Sequence, residues 1–155
     1  MRLRSLREQR TALELFLQMW QNFLREQGMP VPSTSDLTHA LQEKLLDSSR
    51  ELFLIESNNQ FIGFAEANLE EECNPDEDLP EMCVKVYSFY IKPEERNHML
   101  GSQAFRLLRQ WGHDQKAALI ETEVSKDLAF SNKFLAEQGL ELVGSGPRNV
   151  YRGFI

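Results

Sequence analysis

Residues 86–112 constrain the fold most, because they carry the pattern of a strand, a tight polar turn and a helix. Residues 86–91 read VYSFYI, which is apolar and aromatic, residues 92–95 read KPEE, and residues 96–101 (RNHMLG) open an amphipathic helix. The first backbone N–H groups of a helix have no partner within it, and they carry the positive end of the helix dipole. This segment therefore predicts an anion site that a pyrophosphate would fit.

Length and composition indicate one soluble domain. The chain has 155 residues, 41% of them hydrophobic and 26% charged. That is the profile of a globular protein, and no apolar run approaches the roughly 20 residues of a membrane-spanning helix. The start of the chain lacks a signal-like apolar core, so we expect a cytoplasmic enzyme without a membrane partner. Cys73 and Cys83, with three histidines in the chain, indicate free thiols and no metal site.

Acidic residues are concentrated in residues 66–81, which hold eight carboxylates and no Lys or Arg. The formal net charge of the chain is −7, so the remainder carries +1. A concentrated anionic segment repels nucleic acid and attracts a polycation, and we expect no nucleic-acid partner. The alternative is an exposed loop whose charges are simply solvated.

Hydrophobic periodicity predicts seven strands and four helices. The predicted elements are, in order, a strand at 2–6, a helix at 12–24, a helix behind the cap residues 33–36, strands at 51–56, 60–69 and 82–92, a helix through 111, a strand at 117–124, a helix at 127–137 and strands at 140–144 and 148–154. Residues 57–59 (SNN) predict a hairpin turn between the second and third strands. The helix between strands four and five predicts that these two strands are parallel.

Helix ends show recognisable cap residues. Either Ser5 with Glu8 or Thr11 with Glu14 could form a capping box for the first helix. Asp127 is placed to cap the last helix, and Gly139 is placed where a left-handed residue ends it.

The order of elements and the turn at residues 96–101 resemble the GNAT superfamily of acyl-CoA-dependent N-acyltransferases over essentially the whole chain. The family motif is Arg/Gln-x-x-Gly-x-Gly/Ala; here Arg96 and Gly101 match it, and Met99 replaces the first glycine. The resemblance implies an α+β (α/β/α) fold in a single domain over residues 1–155. It implies a mixed, mostly antiparallel sheet of about seven strands, a parallel β4-β5 pair and four helices.

Within the superfamily, short segments are most similar to the aminoglycoside 6′-N-acetyltransferases. These segments are residues 62–67 (IGFAEA), 110–112 (QWG) and 131–133 (SNK). The resemblance implies a small cationic acceptor, aminoglycoside- or polyamine-like, and the acidic segment favours the same acceptor independently. Edge strands at the C-terminus could pair two chains in a homodimer, as in many GNAT proteins.

The resemblance also implies acetyl-CoA as co-substrate. Backbone groups at the end of strand four would hold the pantetheine arm, amides of the turn would cradle the pyrophosphate, and Asn132 would reach the CoA arm. The predicted cofactor-binding residues are Phe89, Tyr90, Ile91, Arg96, Asn97, His98, Met99, Gly101, Ser102 and Asn132. Either the side chain of Met99 points away and CoA binds, or the site is degenerate.

Acceptor binding and catalysis call for carboxylates and a proton donor. Glu123, in strand five, matches an acidic position of the aminoglycoside group, and Glu66 matches one in strand three. Carboxylates at a cleft hold ammonium groups and take the proton that an amine must lose before it attacks. Trp20 lies where related enzymes place an aromatic residue near the acceptor, although a core position is the alternative.

Two positions depart from the family pattern. Leu135 stands where many GNAT enzymes carry the tyrosine that protonates the CoA thiolate, and Tyr87 stands where the aminoglycoside group has a glutamate. We predict Tyr87 and Glu123 as the catalytic residues, with a buried core position as the alternative for Tyr87. An acetyl-CoA-dependent N-acetyltransferase is the first functional prediction. A degenerate acyl-CoA-binding or cation-binding protein and a peptide N-acetyltransferase are the alternatives.

Overall fold

The structure, a computed structural model, describes residues 1–73, 80–96 and 98–155. In these residues, seven strands form one sheet in the order β1-β2-β3-β4-β5-β7-β6, and four α-helices connect or flank them. The strands are β1 Arg2–Ser5, β2 Arg50–Ser57, β3 Gln60–Cys73, β4 Pro80–Ile91, β5 Leu119–Ser125, β6 Glu141–Ser145 and β7 Arg148–Phe154. The helices are α1 Leu13–Glu26, α2 Thr34–Leu46, α3 Leu100–Asp114 and α4 Ala129–Glu137.

Strand directions confirm the predicted mixed sheet. β4 and β5 are parallel, whereas the pairs β1–β2, β5–β7 and β6–β7 are antiparallel. The parallel pair follows from the α3 crossover, which returns the chain to the same end of the sheet. None of the described helices has the length and apolar character needed to cross a membrane.

The chain forms two compact units by its internal contacts. The first unit is Met1–Glu66 with Ser88–Ala104, and the second is Ala67–Tyr87 with Phe105–Ile155. The prediction of a single domain over residues 1–155 stays a prediction.

In the first unit, two apolar clusters hold the helices and strands together. The larger cluster joins α1 and α2 to the strands and includes Leu6, Ala12, Phe16, Met19, Leu41, Leu52, Leu54, Phe64 and Tyr90. The smaller one joins the strands to α3 through Ile55, Ile62, Ile91 and Ala104. The rings of Phe16 and Phe64 pack at a tilt of 54° with their centroids 4.7 Å apart, so the apolar stripe of α1 faces the core.

In the second unit, α3 and α4 pack together and α3 lies against β4. The rings of Phe105 and Phe134 meet edge to face at 6.1 Å. Gly112 on α3 lies so close to Val84 that a Cβ there would sit 2.8 Å from a methyl carbon of that side chain. A larger residue at position 112 would therefore push α3 off the strand.

Turn and cap predictions have mixed outcomes. Asn58 and Asn59 both have positive φ, 51° and 61°, which confirms the β2–β3 hairpin, since asparagine tolerates the left-handed region. Ser33 accepts a hydrogen bond from the Asp36 amide at 3.1 Å and caps α2 as predicted. Gly139 has φ 79° and ends α4 as predicted.

The capping predictions for α1 and α4 are wrong. Two short 3₁₀ turns, Leu6–Glu8 and Arg10–Ala12, precede α1, and Ala12 occupies its cap position, so neither predicted capping box forms. Leu128 occupies the cap position of α4, and the Asp127 amide donates to the hydroxyl of Ser125 in the turn after β5.

The predicted acidic loop is shorter than expected. β3 continues to Cys73 and β4 begins at Pro80, so Glu70 and Glu71 belong to a strand. Cross-strand contacts explain this, since the carboxylate of Glu70 reaches Lys85 and Tyr87 on β4. Residues 74–79, with three of the eight predicted acids, lie outside the described residues.

Candidate active site

The turn before α3 keeps the backbone course that a glycine would give. Met99 has φ 61°, in the left-handed region that glycine adopts without strain, and its side chain is 75% exposed. Its carbonyl accepts a hydrogen bond from the Gln103 amide at 3.1 Å, which closes the first turn of the helix. The side chain of Met99 therefore does not fill the turn from inside. His98 is exposed, Gly101 and Ser102 lie in the first turn of α3, and Asn97 lies outside the described residues.

Arg96 ties this turn to its surroundings within the first unit. Its Nε donates to the Ile91 carbonyl at 2.8 Å, and its Nη2 donates to both carboxylate oxygens of Glu26 at 2.9 and 2.7 Å. The guanidinium also lies 5.4 Å from the ring centroid of Tyr90. A phosphate contact, as predicted from the sequence, would have to compete with this carboxylate.

The end of β4 offers backbone groups rather than side chains. Tyr90 and Ile91 are buried in the two clusters of the first unit, and Phe89 packs partly against the smaller one. A Cβ at Gly63 on β3 would lie 2.1 Å from the Tyr90 carbonyl oxygen, so the glycine makes room for that carbonyl. Burial raises the pKa of the Tyr90 hydroxyl, and the negative charge of Glu26 raises it further.

Both predicted catalytic residues lie where the parallel ladder of the second unit ends. The β4–β5 ladder runs from the pair Cys83–Leu119 to the pair Val86–Thr122. Tyr87 and Glu123 follow directly on the two strands. Tyr87 is 49% exposed, so the alternative of a buried core tyrosine is wrong, and the Glu123 side chain is 55% exposed.

A row of charges crosses the same face of the sheet in the second unit. The Tyr87 hydroxyl donates to Oε1 of Glu70 at 2.6 Å. Nζ of Lys85 lies 3.2 Å from Oε1 of Glu121 and 3.8 Å from Oε2 of Glu70. Nε of Arg152 donates to Oε2 of the buried Glu121 at 2.8 Å. Lys85 and Arg152 thus balance Glu121, while the accessible carboxylates of Glu70 and Glu123 flank Tyr87.

Glu123 keeps a carboxylate that a ligand can reach. Its one described ion pair is a 3.8 Å contact with Nε of Arg148, too long for a hydrogen bond. An exposed pair of this kind contributes little energy, so an incoming ammonium group can replace it.

The side-chain amide of Asn132 has all of its hydrogen-bonding groups paired within the second unit. Its Nδ2 donates to the carbonyls of Ser125 and Leu128, and its Oδ1 accepts from Asn149 and the Tyr151 hydroxyl, all at 2.8 to 3.0 Å. Two donors and two lone pairs are all that an asparagine side chain has. The predicted contact with the CoA arm would have to break one of these bonds.

Glu66 and Trp20, the remaining predicted acceptor contacts, are engaged within the first unit. Oε1 of the buried Glu66 lies 2.6 Å from both Lys44 Nζ and Arg50 Nη1. Trp20 packs against the larger apolar cluster, and Lys44 Nζ lies 5.5 Å from its ring centroid. An acceptor that used either residue would have to displace a cation already held there. In the residues that the structure describes, no group of three or more His, Cys, Asp or Glu side chains is placed to hold a metal ion.

Comparison with known proteins identifies the family. The family model described as Acetyltransferase (GNAT) family matches residues 14–140, which is most of the chain. The chain belongs to the GNAT family. A comparison with curated proteins gave no match.

Solved structures with the GNAT fold cover nearly the whole chain. An acetyltransferase from Thermus thermophilus has 18% identity and a TM-score of 0.73, covering 100% of this chain and 98% of its own. An aminoglycoside N-acetyltransferase in complex with CoA has 17% identity and a TM-score of 0.72, covering 94% and 89%. An acetyltransferase from Salmonella typhimurium that modifies the N-terminal serine of a 50S ribosomal subunit protein has 16% identity and a TM-score of 0.74, covering 99% and 94%.

These neighbours share the GNAT fold with this chain but do not determine its acceptor. They act on different acceptors at nearly equal similarity, so the resemblance to the aminoglycoside group is one of several. GNAT enzymes use acetyl-CoA, and Met99 in the turn before α3 has the left-handed φ that a glycine of the family motif adopts without strain. Leu135, which the resemblance matches to the usual GNAT tyrosine, is buried in α4.

Sequence reasoning missed Glu70 and Lys85 as neighbours of Tyr87. A signal was present, because the alternation that predicts the strand at 60–69, with Ala67 and Leu69 between polar residues, continues to Glu70. The density of acids after residue 69 favoured a loop there instead.

Proposed function

We propose that this GNAT protein transfers the acetyl group of acetyl-CoA directly to a primary amine of a small cationic acceptor, aminoglycoside- or polyamine-like. The observation that carries the proposal is the position of Tyr87 and Glu123 at the open end of the β4–β5 ladder, with Glu70 bonded to the Tyr87 hydroxyl. Accessible carboxylates beside a hydroxyl suit an ammonium substrate and its deprotonation.

The proposed chemistry needs few protein groups. An amine with a pKa near 10 arrives protonated, and Glu123 takes one proton directly or through water. The neutral nitrogen attacks the thioester carbonyl, the C–S bond breaks, and the nitrogen loses its second proton as the amide forms. The CoA thiolate takes up one proton, which we assign to Tyr87 because Leu135 has no proton to give. The products are the acetylated amine, CoA thiol and one proton released to solvent.

The cofactor site proposed here is the turn before α3. Met99 has a left-handed backbone and an exposed side chain, and both features support CoA binding over a degenerate site. Backbone amides at the start of α3 would receive the pyrophosphate, and backbone groups of residues 89–91 would receive the pantetheine arm.

Thiol release from acetyl-CoA tests the proposal. We would use kanamycin, spermidine and a peptide with an N-terminal serine as probe acceptors, and we expect release with the first two. E123Q should lower kcat/KM by about 100-fold, which is typical for loss of a general base, and leave CoA binding unchanged. E141Q is the matched control, since Glu141 is an exposed glutamate on the edge strand β6. Release with the peptide alone would refute the small-amine acceptor, and no release despite CoA binding would favour a non-catalytic protein.

A further inference from the structure

Asn68 on β3 carries a buried oxygen without a partner. The residue is 6% exposed, and its Oδ1 has no hydrogen-bond partner among the described residues. Buried polar atoms are nearly always paired, because an unpaired one destabilises the fold. Nε of Arg4 and of Arg109 are also buried without a hydrogen-bond partner, although Arg4 Nε lies 3.6 Å from a carboxylate oxygen of Glu56. Asn68 differs from them in lying two residues from Glu70, which accepts the Tyr87 hydroxyl. A donor from outside the described residues, such as a ligand, would satisfy its oxygen.

Glu70 shares the face of β3 on which Asn68 lies. Side chains two residues apart on a strand point to the same side, about 7 Å from each other. Oε1 of Glu70 accepts the Tyr87 hydroxyl, whereas Oε2 is 3.8 Å from Lys85, beyond hydrogen-bond length. About a third of the Glu70 side chain is exposed. Asn68 and Glu70 therefore place a buried acceptor oxygen, a partly exposed acceptor oxygen and one negative charge on one face of β3.

We propose that Asn68 and Glu70 bind a second ammonium group of the acceptor, one that does not react. The inference rests on the proposed function and narrows its substrate class to diamines and polyamines. An ammonium group has three N–H donors, which suits two oxygens and one charge. β4 lies between β3 and β5 in the sheet, so Glu70 and Glu123 are two strand spacings apart, about 10 Å. The two nitrogens of a good acceptor lie about that far apart.

Matched acceptors test this spacing. Extended 1,8-diaminooctane has nitrogens about 11 Å apart, close to the two-strand spacing of about 10 Å, and octylamine lacks the second nitrogen. We expect the wild type to prefer the diamine, and E70Q to lower the ratio of kcat/KM for the diamine to kcat/KM for octylamine about tenfold. E71Q is the matched control, because it removes the same charge one residue away, on the opposite face of the strand. An equal loss with both amines, or an equal effect of E71Q, would overturn the proposal.

The melting temperatures of Asn68 variants test the role of this residue independently of activity. If Oδ1 of Asn68 binds a ligand and is unpaired in the free protein, its removal in N68L should stabilise the free protein. We expect the melting temperature to rise by about 2–4 °C and diamine binding to weaken. N68A serves the same purpose without the bulk that could overpack the site. A lower melting temperature for both variants with unchanged diamine binding would assign Asn68 a structural role and would refute its proposed role in binding the ammonium group.

The two proposals fail in different ways. If CoA binds but no amine gives thiol release, the proposed function fails, and calorimetric binding of 1,8-diaminooctane to the wild type and to E70Q still decides the inference. If release occurs and E70Q behaves as the wild type, the inference alone fails.

Discussion

Both carboxylate oxygens of Glu26 accept hydrogen bonds from the guanidinium of Arg96, so the last residue of α1 holds the turn that leads into α3. Arg96 also bonds the Ile91 carbonyl, which fixes the end of β4 relative to that turn.

E26Q should weaken CoA binding indirectly, through the loss of the ion pair that holds Arg96. The variant leaves Arg96 without its ionic partner, and the turn that would receive the pyrophosphate becomes less ordered. Because the pair is partly exposed, we expect a threefold to tenfold rise in the CoA dissociation constant, about 1 kcal/mol, measured by calorimetry. E94Q is the control, since it removes an exposed charge from the same turn. If Arg96 instead binds phosphate directly, E26Q would free it and CoA would bind more tightly.

M99G should stabilise the protein. Met99 holds a left-handed φ of 61°, which disfavours any residue with a Cβ by about 1–2 kcal/mol. Part of that gain is offset by the extra freedom of glycine in the unfolded chain, so we expect a net gain of about 1 kcal/mol or less, seen in thermal or denaturant unfolding. M99A keeps the Cβ and should give no such gain. Equal stability of M99A and M99G would mean that the backbone at this position is unstrained.

N132A should destabilise the second unit strongly. The substitution removes four hydrogen bonds and leaves the buried Tyr151 hydroxyl without an acceptor, for a loss of about 2–4 kcal/mol in the free energy of unfolding. Y151F removes one of these bonds and should cost about 1 kcal/mol. The double variant should cost less than the sum, since both changes break the Asn132–Tyr151 bond. Additive losses in a double-mutant cycle would refute the shared network.

Tyr90 should make stability fall at high pH. In the unfolded chain its phenol ionises near pH 10, whereas burial keeps the pKa higher in the folded chain. Above about pH 10 the unfolded chain therefore binds fewer protons, and the free energy of unfolding decreases as pH rises. The stability contribution is complete below that pH and is lost as pH passes the folded pKa. The difference between wild type and Y90F in denaturant unfolding should shrink from about pH 9 to 11, and a constant difference would contradict the prediction.

Local patterns made much of the fold predictable. The strand, turn and helix at residues 86–112, the hairpin at Asn58 and Asn59 and the left-handed end of α4 at Gly139 all depend on residues close in sequence. The same holds for the parallel β4–β5 pair, which the intervening helix requires.

Side-chain partners of the candidate site were harder to predict, because they come from distant positions. Glu70 and Tyr87 are 17 positions apart, and Asn132 and Tyr151 are 19 apart. Periodicity assigned Tyr87 to a strand but could not select Glu70 among eight nearby acids. Arg96 is a further case, since a positive charge in a phosphate-binding turn gives no sign that Glu26, 70 positions away, already holds it.

The absence of a side chain at Gly63 restricts which homologous sequences can share the strand geometry of this chain. Because a Cβ at that position would overlap the carbonyl oxygen of Tyr90, an alanine or larger residue cannot coexist with this course of β4. A homologue with a side chain there must route the end of β4 differently and so present different backbone groups to an acyl carrier. The residue at position 63 is thus a simple marker for sorting homologous sequences into those that share this strand geometry and those that do not.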